Sequence, residues 1–304
     1  MDATRHFFSR RAFVGRTAAA AASMTALGGL AAGCAGPAGP PRHKTGMLPV
    51  DGGELYYEEA GSGDAVLLLH GFTLDTRMWD DQFDVLARRH RVVRYDLRGF
   101  GRSTLPTKKY VHADDCRQVM EGLGIRRAHV VGLSAGGRIA IDVAVRHPAI
   151  VDRLVAIDPF VGGYVTTQAY RDAFGEMTAA GRAGDVARAK KLWLAHPLFV
   201  PAGTRADVAD RLRQMVQTYS GYHWVQANPE VPLDPPALER LRELRVPLLV
   251  IVGEQDIPDV HAMSDVLVRD VRGARKLVIP SVGHMSNMEA PAAVNAALLE
   301  FLAA

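Results

Sequence analysis

The chain has 304 residues, of which 48% are hydrophobic and 23% are charged. This balance is typical of a globular protein and excludes a disordered, collagen-like or coiled-coil chain. The formal charge of +3 comes from residues 1–34, which contain four arginines and one aspartate, so the rest of the chain is neutral. A neutral body lacks the excess of Lys and Arg that neutralises nucleic-acid phosphates, and we expect no nucleic-acid partner.

Residues 1–41 have the layout of an export signal and linker. The pair Arg10-Arg11 is followed by an uncharged, Ala-rich run over residues 17–30 and then by a Gly/Pro-rich stretch. A membrane-spanning helix needs about 20 apolar residues, and this run is shorter, so we expect a leader and not a transmembrane anchor. The paired arginines resemble the bacterial twin-arginine signal, which directs folded proteins to export.

The sequence Ala31-Ala32-Gly33-Cys34 is similar to a lipoprotein cleavage box, although Ala31 stands where such boxes usually have leucine. Two other readings remain: a soluble secreted form cut at an Ala-x-Ala site in residues 18–22, or a disordered leader. We expect an exported protein of the periplasm or cell envelope, attached to a membrane only through lipid on Cys34. Cys116 is the other cysteine, and we expect no disulfide.

From Gly46 onward, short aliphatic runs alternate with longer helical patterns, as in βαβ units. The runs predict strands at Leu55–Tyr57, Ala65–Leu69, Val92–Tyr95, Ala128–Val131, Leu154–Ile157, Leu248–Val252 and Lys276–Ile279. Helices are expected near 78–89, 108–123, 135–147, 258–269 and 289–303. Near-continuous apolar runs indicate strands buried on both faces, so the sheet should be mostly parallel.

Residues 161–235 break this alternation. They are rich in alanine, arginine and aromatic residues at helical spacing, with breaks at Pro197, Pro201 and Pro229. We predict a helical cap inserted into one domain that spans residues 42–304. Such a cap would enclose a pocket above the sheet.

Gly132-Leu133-Ser134-Ala135-Gly136 lies between a predicted strand and a predicted helix. This context predicts a nucleophile elbow, a sharp turn that holds serine in strained backbone geometry. Close packing around such a turn leaves no room for Cβ atoms two residues on either side, which accounts for Gly132 and Gly136. Ser134 is therefore the candidate nucleophile.

A serine hydroxyl needs a base within hydrogen-bond reach and a third group that orients the base. Asp256 and His284 each follow a predicted strand, and we expect His284 to be the base and Asp256 to fix its tautomer. Asp158, just after another strand, is the rival acid. His70 is expected to be a structural hydrogen-bonding group and not a second base.

The loop His70-Gly71-Phe72-Thr73 follows the strand that ends at Leu69. We expect the backbone N–H groups of Phe72 and Ala135 to form a two-donor oxyanion hole. Because those donors are backbone groups, the Phe72 side chain is free to line the substrate pocket. Leu133, Trp193 and Met285 are the other residues expected to contact substrate. The sequence contains no metal-ligand cluster, phosphate loop or dinucleotide fingerprint, and we expect no metal and no cofactor.

Together these motifs resemble the α/β-hydrolase superfamily from Gly46 to Ala304. The segment from Arg94 to Ser103 is similar to its structural Arg-x-Asp-x-Arg-Gly-x-Gly-x-Ser turn, and the order Ser, Asp, His matches its triad. The resemblance implies an α/β fold: a mostly parallel, eight-stranded sheet flanked by helices, with the inserted cap. The elbow and the His-Gly-Phe loop look like the esterase, enol-lactonase and cofactor-free perhydrolase branch.

The resemblance implies a serine hydrolase that cleaves a small-molecule carboxylic ester or lactone through an acyl-enzyme. A dehalogenase or an epoxide hydrolase would have aspartate at the elbow, where this chain has Ser134. Carbon–carbon bond hydrolysis and perhydrolysis remain alternatives because they use the same triad. A ligand-binding protein without catalytic activity is a third alternative, since a fold by itself does not establish a function.

Overall fold

The computed structural model of the protein describes residues 43–303, and they contain one eight-stranded sheet. Its strands are β1 (His43–Val50), β2 (Gly53–Gly61), β3 (Ala65–Leu69), β4 (Arg91–Tyr95), β5 (Ala128–Leu133), β6 (Val151–Ile157), β7 (Leu248–Gly253) and β8 (Arg275–Ile279). The order is β1-β2-β4-β3-β5-β6-β7-β8; β2 is antiparallel to β1 and β4, and the other neighbours are parallel. The predicted fold class is confirmed.

The central strands are the ones that the sequence identifies most directly. Every residue of β5 and β7 is buried, as continuous apolar runs require. Strand β1 has no counterpart among the predicted strands, because it is mostly exposed and contains no aliphatic run. It forms the outer edge of the sheet, where Pro49 is tolerated since an edge strand needs fewer backbone donors.

Helices flank the sheet and fill the interval between β6 and β7. They are α1 (Asp80–Ala87), α2 (His112–Gly122), α3 (Ala135–Arg146), α4 (Gln168–Arg182), α5 (Val186–Leu194), α6 (Val200–Gly203), α7 (Ala206–Thr218), α8 (Tyr222–Val225), α9 (Ala237–Arg240), α10 (Pro258–Asp270), α11 (Ser286–Glu289) and α12 (Pro291–Ala303). Helices α1, α2, α3, α10 and α12 correspond to the predicted ones.

Helices α4 to α8 lie in the segment of residues 161–235, which we call the helical insertion. Its aromatic residues Trp193, Phe199, Tyr219 and Trp224 are buried. Phe72 lies in the loop after β3. Its ring centroid is 5.7 Å from that of Trp193 and 6.1 Å from that of Trp224. The insertion is therefore packed against this loop.

The turn after β4 is built around a buried carboxylate. Asp96 accepts hydrogen bonds from the backbone N–H groups of Thr76 and Arg102, each at 2.8 Å. His70 lies beneath the same turn: its Nε2 accepts from Leu97 N at 2.9 Å and its Nδ1 lies 2.8 Å from Gly71 O. Burial lowers the pKa of His70, so a neutral ring that donates at one nitrogen and accepts at the other fits both contacts.

The predicted export signal, the twin-arginine pair and Cys34 lie outside the described residues. Cys116 is buried and unpaired with any cysteine of residues 43–303. Over the same residues, no helix has the length and apolar character that crossing a membrane requires.

Candidate functional site

Ser134 stands at the sharp turn between β5 and α3. Its backbone has φ 58° and ψ −117°, a conformation that costs energy for a residue with a Cβ atom. A Cβ atom at Gly132 would overlap the carbonyl oxygen of Gly136, and one at Gly136 would overlap that of Leu69. These contacts explain both glycines, and they hold the Ser134 side chain above the carboxyl end of the sheet.

Asp256 and His284 meet Ser134 at this edge, since they follow β7 and β8. His284 Nε2 lies 2.8 Å from Ser134 Oγ, and His284 Nδ1 lies 2.8 Å from Asp256 Oδ2. The other Asp256 oxygen accepts from Ile257 N at 2.7 Å. The three side chains therefore form one continuous hydrogen-bonded chain, which we call the triad.

The environment of His284 favours its protonated form. Complete burial lowers the pKa of the imidazole, but the charge and hydrogen bond of Asp256 raise it. Asp158 and Glu289 add to that effect, and the pKa of His284 ends above its ordinary value of 6.5. A cation forming on this ring is thus stabilised by neighbouring carboxylates.

Asp158 follows β6 and has a φ of 44°. Its Oδ1 accepts from Gly253 N at 2.8 Å, and its Oδ2 accepts from Ser286 Oγ at 2.7 Å and Ser286 N at 3.2 Å. Burial and the charge of Asp256 raise its pKa well above the ordinary range. Asp158 makes no hydrogen bond to His284. It connects the end of β7, just before Asp256, to residues 280–286 after β8, which we call the histidine loop.

Glu289 holds the histidine loop from the other side. Its two oxygens accept from Gly283 N at 3.0 Å and Met285 N at 3.1 Å, the residues on either side of His284. The Glu289 side chain is fully buried, and Arg205 of the helical insertion lies 3.7 Å from it. One carboxylate therefore fixes the backbone on both sides of the base.

The loop after β3 runs beside Ser134. A Cβ atom at Gly71 would lie 3.5 Å from the Cβ of Ser134. Within residues 43–303, the backbone N–H groups of Phe72 and Ala135 donate no hydrogen bond, which leaves both free for a ligand oxygen. Thr73 has a φ of 66°, and its Oγ1 accepts from Trp193 Nε1 at 2.7 Å, so the insertion braces this loop.

A cavity of about 220 Å³ adjoins the elbow. Its apolar wall consists of Phe72, Leu97, Phe100, Ala135, Ile139 and Phe174. Its polar lining consists of His112, Arg138, His223, Asn228 and Glu230. The cavity therefore extends from Phe72 and Ala135, which have the two free N–H groups, to a cluster of polar side chains.

The predicted contact residues differ in where they lie. Phe72 lines this cavity, whereas Leu133, Trp193 and Met285 do not. These three side chains are almost completely buried, and Trp193 supports the Phe72-Thr73 loop through its indole N–H. Their contact with a substrate stays a prediction.

A family model described as the alpha/beta hydrolase fold matches residues 64–291. The chain belongs to this family. Among curated relatives, the "Putative carbamate hydrolase RutD" of Caulobacter sp. (strain K31) is 32% identical over 276 residues, 83% of this chain and 96% of the relative.

Two solved α/β-hydrolase structures are similar to this chain. A thermophilic esterase from Thermogutta terrifontis has a TM-score of 0.73 at 25% identity, over 85% of this chain and 98% of the esterase. Est816, described as an N-acyl homoserine lactone degrading enzyme, has a TM-score of 0.69 at 26% identity, over 84% of this chain and 100% of its own. The resemblance inferred from the motifs is thus confirmed at the level of family and fold.

Several residues of this hydrolase site have no signal in the sequence. Glu289 is one of 33 acidic residues, and nothing in its neighbourhood distinguishes it before the histidine loop is folded. Arg138 and Glu230 form an ion pair at 2.6 Å across 92 positions of the chain. Such pairings arise from the tertiary fold and not from a local pattern.

Proposed function

We propose that the protein hydrolyses a carboxylic ester or lactone through an acyl-enzyme at Ser134. The observation that supports this most strongly is the continuous chain from Ser134 Oγ through His284 to Asp256, with both contacts at 2.8 Å. These distances are those at which a base can take the proton of the nucleophile.

In the acylation step, His284 Nε2 accepts the Ser134 proton as Oγ attacks the carbonyl carbon. The negative oxygen that forms is held by the N–H groups of Phe72 and Ala135. Asp256 keeps the Nδ1 proton directed toward itself and stabilises the imidazolium. His284 then gives its proton to the departing alcohol, the carbon–oxygen bond breaks, and the acyl group remains on Ser134.

In the second step, a water molecule attacks the acyl carbon while His284 takes one of its protons. The tetrahedral intermediate collapses, His284 returns the proton to Ser134 Oγ, and the carboxylic acid leaves. For a lactone the alcohol and the acid belong to one molecule, so the product is a hydroxy acid. The triad returns to its starting state in each case.

The names of the relatives bear on the substrate class. The Thermogutta terrifontis structure is that of an esterase, and the Est816 structure is that of a lactone-degrading enzyme, which favours an acyl–oxygen bond. A carbamate is the second candidate, because the Caulobacter relative is named for carbamate hydrolysis. The same Ser134 attack would apply to a carbamate carbonyl.

The test starts with a fluorophosphonate probe on the purified protein, with the modified residue located by mass spectrometry. Labelling of Ser134 that ester substrates suppress, together with release of acid from short esters or lactones, supports the proposal. Labelling with turnover only of carbamates or of carbon–carbon substrates would replace the substrate class. A folded protein that neither labels nor turns over any of them would indicate a ligand-binding function instead.

The pH dependence follows from His284. A protonated imidazole cannot accept the Ser134 proton, and the pKa of His284 lies above 6.5. We therefore expect kcat/KM to fall as the pH is lowered, with half of its maximum reached above pH 6.5. Initial rates with one ester between about pH 5 and 9 measure this, and full activity at pH 5.5 would contradict it.

Replacing Glu289 by glutamine should reduce kcat by about tenfold with little change in KM. The two carboxylate oxygens each accept one N–H group of the histidine loop, and in glutamine one of these oxygens becomes an NH₂ group that cannot accept. Loss of the negative charge should also shift the acid limb of kcat/KM to lower pH, since Glu289 raises the pKa of His284. Kinetics over the pH range measure both effects.

Glu254 provides a matched control. It also accepts a backbone N–H, that of Ser281 at 2.8 Å, but it is exposed and does not flank His284. Glu254→Gln should leave the acid limb in place. An unchanged acid limb in Glu289→Gln would show that Glu289 has a structural role only.

A further inference from the structure

The polar lining of the 220 Å³ cavity has no part in the proposed chemistry. With a volume of about 220 Å³, the cavity has room for several water-sized groups. Phe72 and Ala135, whose N–H groups are the proposed oxyanion donors, belong to its lining. A substrate bound at Ser134 can therefore extend one arm into this space.

The charges around the polar lining sum to a negative value. Arg138 donates to Glu230 Oε1 at 2.6 Å and to Asp142 Oδ2 at 3.1 Å, so one cation faces two carboxylates. Burial raises the pKa of Glu230, but His112 and Arg138 lower it more, to about 2 overall. Burial raises the pKa of Asp142 to about 6, which leaves it mostly ionised at neutral pH. A substrate carboxylate would meet a charge of its own sign here.

His223 adds a hydrogen-bond donor without an acceptor. The Tyr219 hydroxyl oxygen accepts from His223 N at 2.9 Å and lies 2.8 Å from His223 Nδ1, so its own proton is directed to Nδ1. The ring is neutral because burial lowers the pKa of His223 to about 3. Its proton is then on Nε2, which is buried and has no partner among residues 43–303.

His112 adds the complementary acceptor. Its Nε2 lies 3.5 Å from the Tyr110 hydroxyl and 4.0 Å from Glu230 Oε2, and both neighbours favour a proton on Nε2. Burial lowers the pKa of His112 to about 4, so the ring is neutral and Nδ1 is bare. Nδ1 is buried without a hydrogen-bond partner in the described part of the chain.

We propose that this cavity receives one arm of the substrate and selects an uncharged arm that ends in a hydroxyl group over one that ends in a carboxylate. The proposal rests on the ester or lactone hydrolysis proposed above. A hydroxyl both donates and accepts, so it offers the donor that His112 Nδ1 lacks and the acceptor that His223 Nε2 lacks. A carboxylate only accepts, and it would lie near Glu230. The aromatic and aliphatic wall suits the methylene groups between the ester and the hydroxyl.

Two matched series of esters test the selectivity. The first varies the alcohol: pentyl acetate, 5-hydroxypentyl acetate and 5-acetoxypentanoate. The second varies the acid: methyl hexanoate, methyl 6-hydroxyhexanoate and monomethyl adipate. In the series whose variable arm enters the cavity, we expect kcat/KM to be highest for the hydroxyl ester and lower by about tenfold or more for the carboxylate. Equal or faster hydrolysis of the carboxylate in both series would overturn the proposal.

Variants assign the selectivity to the cavity. Glu230→Gln removes the negative charge and leaves Arg138 less neutralised, so it should raise the rate for the carboxylate ester relative to the apolar ester at least fivefold. His223→Phe keeps an aromatic ring on Phe100, with which His223 stacks at 4.4 Å, and should abolish the preference for the hydroxyl. Exposed Glu300 is the control, and Glu300→Gln should not change the order of substrates.

The same order in Glu230→Gln, His223→Phe and the unaltered protein would overturn the proposal while ester hydrolysis stands. If no ester of either series is hydrolysed, the proposed function fails instead. Selectivity is then read from the increase in Tm produced by 1-pentanol, 1,5-pentanediol and glutarate at equal concentration. The largest increase with the diol, lost in His223→Phe, would support the cavity as a binding site, and the largest increase with glutarate would overturn it.

Discussion

Replacing Ser134 by alanine should lower kcat/KM for ester hydrolysis by about 10⁴- to 10⁶-fold, with the fold and Tm retained. The variant loses the atom that forms the acyl-enzyme, and His284 then has no proton to accept at 2.8 Å. Alanine has one atom fewer than serine, so the strained elbow can accommodate it. Initial rates with the best ester measure the loss.

Ser264 is the matched control for this substitution. It is a buried serine in α10 whose Oγ has no hydrogen-bond partner among residues 43–303. Ser264→Ala should keep the activity within about twofold, because no hydrogen bond is removed. A folded Ser134→Ala protein that retains more than about 1% of the activity would contradict the assigned nucleophile.

Replacing Asp256 by asparagine should lower kcat by about 10⁴-fold. An amide nitrogen cannot accept the Nδ1 proton of His284, so the ring loses the tautomer that places its lone pair toward Ser134. The acid limb of kcat/KM should also shift to lower pH in any residual activity, because Asp256 raises the pKa of His284. Rates across the pH range measure both changes.

Asp158→Asn separates the two acids. Asp158 is fully buried, but it binds Gly253 and Ser286 and makes no hydrogen bond to His284. We expect this variant to lose about tenfold in kcat through the position of the histidine loop. A larger loss in Asp158→Asn than in Asp256→Asn would make Asp158 the functional acid.

The parts of the molecule that sequence predicts well are those with a strong local pattern. The buried runs of β5 and β7 are continuous apolar segments, and the elbow has glycines at the two positions where a Cβ atom would overlap the backbone. Parallel strands end at one edge of the sheet, so residues that follow them meet there. The sequence alone therefore predicts that Ser134, Asp256 and His284 lie close together.

The remaining features depend on contacts between distant segments. Strand β1 buries only one residue, so its sequence needs no apolar run and gives no strand signal. Its antiparallel hydrogen bonds with β2 hold it in the sheet. Trp193 is a large aromatic residue in the predicted cap and is therefore expected from the sequence to contact substrate. In the fold, its indole N–H donates to Thr73, which lies 120 positions earlier in the chain. Glu289 and the polar lining of the cavity likewise acquire their partners only in the folded chain.

A covalent acyl group on Ser134 distinguishes the proposed mechanism, and mass spectrometry of the protein, quenched in acid during turnover of a slow ester, detects it directly. We expect a peptide containing Ser134 whose mass is increased by that of the acyl group, present in the unaltered protein and missing in Ser134→Ala. In Glu254→Gln, the acylated peptide should remain. Acylation of another residue, or turnover under conditions of slow deacylation with no acylated peptide, would contradict an acyl-enzyme at Ser134.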